Sequence, residues 1–316
     1  MMLPIRRQRG IALMLVMWVL TLLTVMAVSL TVSRRTEIAL TDNHVESARF
    51  RALAEAAIAY TALHYMTPEA QLDAEQDTAW LPNGQPRTWS FAGSELSLRV
   101  FNESSRYSLN QIQPDTLRAL LEVLGLVPED ADALAAAIID WRDEDDLALL
   151  NGAEDSDYEQ AGRALGAKDA PYEAVEELRQ VLGMTPEIYR LLAPEVSVES
   201  GSAQPDERFA SPAVLATLKG LTLEDAREEI IARDQAEVPG ATTTTVVNRG
   251  GPLYRLQITE PRSRGAGRSM EVLFQLAPGQ QPPYQVLWRR DRAGFDTSLH
   301  ISDPDSLDNV STPADT

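Results

Sequence analysis

An uncharged run extends from residue 11 to residue 33, broken only by hydroxyl residues such as Thr21, Thr24 and Ser29. About 20 apolar residues wound as a helix cross the hydrocarbon core of a bilayer, so the run predicts a membrane segment. A cleaved secretory signal is the competing reading. Its apolar region is only about 7–15 residues long and ends at a small-residue cleavage site, and Thr31-Val32-Ser33-Arg34-Arg35 offers none. Beyond the run, Leu53, Ala56, Ala57, Tyr60, Leu63 and His64 recur at three- and four-residue steps, with Glu46, Arg49, Arg51 and Glu55 as polar positions. This spacing continues the same helix in amphipathic form to about residue 66, and Pro68 ends it.

A different period follows a turn-rich stretch containing Pro82, Asn83, Gly84 and Pro86. From residue 95 to residue 101, Leu96, Leu98 and Val100 alternate with Ser97 and Arg99, the pattern of a half-buried strand. Strand patterns return only at 243–247, 253–259, 270–277 and 284–288, separated by glycine- and proline-rich turns. One sheet interrupted by a long helical insertion, residues 107–238, is the economical reading. From residue 291 the chain turns polar and acidic, a composition that predicts a disordered tail over 291–316.

The insertion carries a weak internal repeat. Segments 121–126, 178–184 and 215–221 each end in glycine plus an apolar residue, and Pro128, Thr185-Pro186 and Thr222 then open a new helix. Glycine supplies the left-handed cap, and proline or threonine starts the next helix. Such helical hairpins bind DNA phosphate in some proteins through their turn amides. Here Glu129, Asp130, Glu187, Glu224 and Asp225 flank the turns, which favours a packing role.

Charge narrows the classes further. The 316 residues carry a net charge of −19 with a pI of about 4.6, and loss of Arg6, Arg7 and Arg9 would take the charge to −22. Such acidity repels phosphate backbones, so the expectation is no nucleic-acid partner. The absence of cysteine excludes disulfides and thiolate metal sites.

Arg6, Arg7 and Arg9, then Gly10, then the apolar helix resemble a type IV prepilin leader. The resemblance implies a cut by a prepilin peptidase between Gly10 and Ile11, retention of the helix in the bacterial inner membrane, and N-methylation of the new terminus. The fifth residue after the cut would be Leu15, where most pilins and pseudopilins carry a glutamate. An unpaired carboxylate in lipid is costly, and in that family it is thought to neutralise a neighbouring subunit's N-terminal amine. A subunit without it suits a filament end. The stretch Asp140-Trp141-Arg142-Asp143-Glu144-Asp145-Asp146, followed by Gly152-Ala153-Glu154-Asp155-Ser156-Asp157-Tyr158, resembles the acidic signature of the type II secretion pseudopilin K family, and the match continues through 175–184. It departs near Arg208-Phe209-Ala210-Ser211-Pro212, where an asparagine-rich segment is expected.

The resemblance implies an α+β fold: a pilin-like long N-terminal helix packed on a small antiparallel sheet, with a large all-α domain inserted between strands. The expected organisation is a leader (1–10), a transmembrane part (11–33) and a soluble part (34–66) of the helix, a pilin-like α/β domain (67–106 and 239–290), the helical insertion (107–238) and the tail (291–316). It also implies a tip position on a short periplasmic filament, with minor pseudopilins I and J as partners and the bulk of the chain in the periplasm.

Carboxylates crowded in one loop repel one another unless a cation compensates, and calcium takes about 6–8 hard oxygens. An EF-hand register starting at Asp143 puts Asp145 third and Glu154 twelfth. It fails at Leu147 and Ala148, where an oxygen ligand and a glycine are needed. The family resemblance implies Ca2+ in this domain, with Asp143, Asp145, Asp146, Glu154 and Asp155 as candidate ligands; a solvated acidic loop is the alternative. Asp140 reads as a backbone anchor at a helix end, and Trp141 as core.

Catalytic patterns are lacking. His44, His64 and His300 are dispersed, and neither H-E-x-x-H nor G-x-S-x-G occurs. The expectation is therefore a non-enzymatic minor pseudopilin. The alternatives are a membrane-anchored helix-hairpin-helix protein for DNA uptake, which a basic hairpin face would favour, and a membrane-anchored metal hydrolase.

Overall fold

The computed structural model describes residues 9–67, 80–235, 249–261 and 267–293. Helix α1 (Arg9–Met66) is continuous, and its segment Leu13–Thr31, of mean hydropathy 2.4, is long and apolar enough to cross a membrane. The hydroxyls inside that segment are satisfied locally: Thr21 donates to the Met17 carbonyl at 2.8 Å and Thr24 to the Leu20 carbonyl at 2.7 Å. A helix that meets its own polar demands in this way can sit in lipid.

The last turns of α1, from residue 56, pack on a sheet through buried Ala57, Ile58, Ala62 and Tyr65. The described strands are β1 (Arg87–Phe91), β2 (Ser94–Asn102), β3 (Tyr107–Ser108), β4 (Val196–Ser197), β5 (Leu253–Glu260), β6 (Arg268–Leu276) and β7 (Tyr284–Ala293). Five of them form one antiparallel sheet in the order β1-β2-β5-β6-β7. Alternation decides its faces. Leu98 lies opposite Ile258 and Val100 opposite Leu256, while Tyr254 lies opposite Phe274. These side chains are buried on the helix side, where Tyr65 meets Tyr254 edge-on at 5.0 Å.

Three sequence expectations change. Strand β1 was not anticipated; it pairs with β2 across the tight turn at Ala92-Gly93, both at positive φ. The expected tail boundary at 291 falls inside β7, which continues to Ala293 because Arg289, Arg290 and Asp291 pair with Val272, Glu271 and Met270. An edge strand tolerates such charge. The insertion is not purely helical, since β3 and β4 form a short parallel pair within it. The strand expected at 243–247, the leader residues 1–8 and the tail from 294 lie outside the described residues.

Between β2 and β5 the chain forms α2 (Pro114–Val123), α3 (Pro128–Asp140), α4 (Asp155–Gln160), α5 (Pro186–Leu192), α6 (Pro212–Lys219) and α7 (Leu223–Gln235). Gly125, Gly183 and Gly220 all take positive φ, and a new helix starts within three residues of each, the cap-and-restart geometry of the repeat. The segment before Gly183 is a 3-10 turn (Val175–Gln180) and not an α-helix. Leu117, Leu121, Leu134, Ile138, Trp141 and Tyr158 belong to the insertion's own hydrophobic core.

The insertion meets the sheet's second face through charge. Glu103, in a 3-10 turn directly after β2, is fully buried and accepts from Arg255 Nε at 2.9 Å. Arg106 lies 3.7 Å from the same carboxylate, and Arg255 lies 3.7 Å from Glu271. Farther along that face, Trp288 donates to Glu199, and Arg290 pairs with Glu176 while lying over the Trp288 ring at 4.3 Å.

Candidate metal centre

Helix α3 ends at Asp140, which is fully buried against Trp141 and the core. Its carboxylate turns back to the loop, accepting the Leu149 N–H at 3.2 Å and the Ala153 N–H at 2.9 Å. Gly152 passes so close that a Cβ there would lie 1.8 Å from Asp140 Oδ2, so the loop needs glycine at that point. Arg142, one residue beyond Trp141, donates to the Leu109 and Ile112 carbonyls and ties the same corner to the start of the insertion.

The loop then delivers Glu154 to the N-terminus of α4 with 5% exposure. Ligand atoms of Asp140, Asp143 and Glu154 all lie within 4.8 Å of one another. Glu154 Oε1, Asp143 Oδ1 and Asp169 Oδ1 are buried and lack a hydrogen-bond partner. Unsatisfied buried oxygens carry a cost and call for an explanation.

Electrostatics point the same way. Burial pushes the Glu154 carboxyl up to about 7, and the charges of Asp140, Asp143, Asp169 and Asp146 all add to the rise. Asp140 is raised by burial, against the pull of the Leu149 and Ala153 amides. Asp143 is raised by burial and then by Asp140 and Asp145, and Asp169 by burial and then by Asp155 and Asp146. A group of acids that resist ionisation together would be stabilised in its charged form by a nearby positive charge. The donor set is all carboxylate oxygen, which fits calcium in preference to softer ions.

Of the five residues expected from the sequence, Asp143 and Glu154 enter this cluster. Asp145, Asp146 and Asp155 are exposed around it: Asp145 accepts the Leu147 N–H at 3.0 Å, and Asp155 packs so that a Cβ on Gly166 would lie 1.7 Å from its Oδ1. The structure adds Asp140 to the cluster, where its two amide bonds also anchor the loop, and brings the charge of Asp169 to bear on Glu154 from beside it. Asp169 had no visible link to the motif; it arrives by way of α4 and adopts φ +53, a backbone state that aspartate tolerates better than most residues.

Residues 96–201 match the family model described as type II secretion system (T2SS), protein K. Type II secretion system protein K of Klebsiella pneumoniae is 29% identical over 252 residues, covering 72% of this chain and 76% of that protein. The Pseudomonas aeruginosa protein of the same name is 28% identical over 229 residues, covering 67% of this chain and 68% of its own length. Over much of its length the chain is similar to the type II secretion system protein K family. These matches support a minor pseudopilin of a type II secretion system and give no support to DNA uptake. Among solved structures, the GspK-GspI-GspJ complex from the enterotoxigenic Escherichia coli type 2 secretion system contains a similar fold, with a TM-score of 0.55 and 19% identity, covering 80% of this chain and 98% of that one.

Proposed function

We propose that this protein K is the end subunit of the pseudopilus, held in the inner membrane by α1 until assembly, with the bulk of the chain in the periplasm. The observation that carries the reading is α1 itself: one unbroken helix, apolar over Leu13–Thr31, with Leu15 where a filament-internal subunit would carry a glutamate. The similar chain's complex with GspI and GspJ supports minor pseudopilins I and J as partners. Apolar helix-to-helix packing drives their association, and the large insertion obstructs further subunits beyond it. The protein acts by assembly and not by catalysis. Calcium, held by Asp140, Asp143 and Glu154 with Asp169 beside them, offsets the carboxylate repulsion and stiffens the insertion; Asp145, Asp146 and Asp155 complete the acidic surround.

N-terminal sequencing of the membrane form tests the reading. A mature chain beginning at methylated Ile11 is expected. An intact Met1, or a cut beyond the apolar run near Ser33, overturns it.

A further inference from the structure

A shallow groove of about 640 Å³ runs beside α3, lined by Arg118, Pro128, Glu129, Asp132, Ala133 and Asn151. Asn151 donates Nδ2 to Asp132 Oδ2 at 2.9 Å and so pins the preceding loop to the groove. That loop carries Leu150 and Leu147, exposed by 87% and 77%, and Val127, next to Pro128, is 58% exposed. A leucine left in water forgoes the stabilisation that burial contributes. The loop is not free to turn its leucines inward. The Leu149 N–H is held by Asp140, the Leu147 N–H by Asp145, and Asn151 sits at φ +67. Apolar side chains held outward and rimmed by charge mark an interaction surface.

The rim selects the occupant. Glu129 and Asp132 lie in the groove, Glu144, Asp145 and Asp146 are exposed beside the leucines, and Arg118 is engaged by Glu122 at 3.5 Å. We infer that the groove and its leucine loop dock a basic amphipathic segment of another protein. Its apolar side chains cover Leu147, Leu150 and Val127, and its lysines or arginines meet Glu129 and Asp132. Anionic lipid is repelled by the same carboxylates, and a second copy of a chain of net charge −19 brings like charge. The inference does not depend on the cation site, because Glu129 and Asp132 lie outside the Asp140, Asp143 and Glu154 cluster.

The test uses the full-length protein in neutral detergent and two labelled synthetic helical peptides of equal charge, one of leucine and lysine and one of serine and lysine, with empty micelles as blank. Fluorescence anisotropy should show the leucine peptide binding about tenfold more tightly than the serine peptide. The double variant Leu147→Ser/Leu150→Ser and the single variant Glu129→Gln should each weaken it by about three- to tenfold with unchanged circular dichroism. Equal binding of the two peptides, or wild-type binding by both variants, overturns the inference. So does binding of phosphatidylglycerol vesicles that the leucine variant abolishes, since the occupant would then be a membrane.

Discussion

Glu154 makes the cluster's pH dependence readable in sign. Its carboxyl, ordinarily near 4.5, is pushed up to about 7 by burial and by Asp140, Asp143, Asp169 and Asp146. Between those values the ion-free folded protein keeps a proton that the unfolded chain has released, so stability falls as pH rises. With a chelator present, the melting temperature of the full-length protein should drop from about pH 5 to pH 8, and Glu154→Gln should flatten part of that slope. A wild-type profile that is level or rising across this window contradicts the shift. Gly152 gives a second measurement at the same place. Alanine there forces Asp140 away from the Leu149 and Ala153 amides, at roughly 1–3 kcal/mol for buried groups left unsatisfied. Gly201→Ala is the control, since a Cβ there meets nothing within 4 Å; equal urea midpoints for the two variants would show that the loop can relax.

At the scale of elements, the join between insertion and sheet rests on Glu103. Burial alone would raise its carboxyl, but Arg255 and Arg106 hold it below the usual carboxylate range. Its contribution is therefore present above about pH 4.5 and is lost as pH falls through the depressed value. Glu103→Ala leaves the Arg255 charge buried, and a loss of about 3–5 kcal/mol in denaturant unfolding is expected. A loss under about 1 kcal/mol would mean the join is hydrated and adaptable. This pair was invisible in the sequence because its members stand 152 residues apart and neither sits in a motif. What was legible followed periodicity: the three-to-four steps of α1, the alternation in β2, β5 and β6, and the glycine caps of the hairpins. Strand β1 was hidden behind Pro86, and Trp89 gains its place by lying opposite Leu96 and stacking on Tyr60. The acidic loop was legible as a cluster of carboxylates through Asp143 and Glu154. Asp140 was read only as an anchor, and it serves as anchor and cluster member together because its two oxygens face both the loop amides and the other acids.

For the whole molecule, the calcium proposal is the one that solution experiments reach first. Any ligand that prefers the native state raises its melting temperature, so calcium should raise that of the full-length protein. Magnesium should do so weakly, because it needs a smaller octahedral shell and releases water reluctantly. Replacing Asp140 and Glu154 by Asn and Gln should remove the calcium response; a shift that survives in that variant would move the site to the exposed acids Asp145, Asp146 and Asp155.

The placement of the insertion also sets an order in time. β2 is made early, yet its neighbour on the inner side is β5, whose residues leave the ribosome only after the whole insertion. Until then the nascent chain can close the β1-β2 hairpin and the helical hairpins, but nothing covers Leu96, Leu98 and Val100 from the β5 side. Pairings so distant in sequence form slowly because loop closure precedes any gain from contact. The insertion, built from short-range contacts, is free to fold first, and the sheet that carries it is completed only once β5, β6 and β7 have been made. A chain cut short before β5 would therefore lose the sheet while keeping the domain that the sheet is meant to hold.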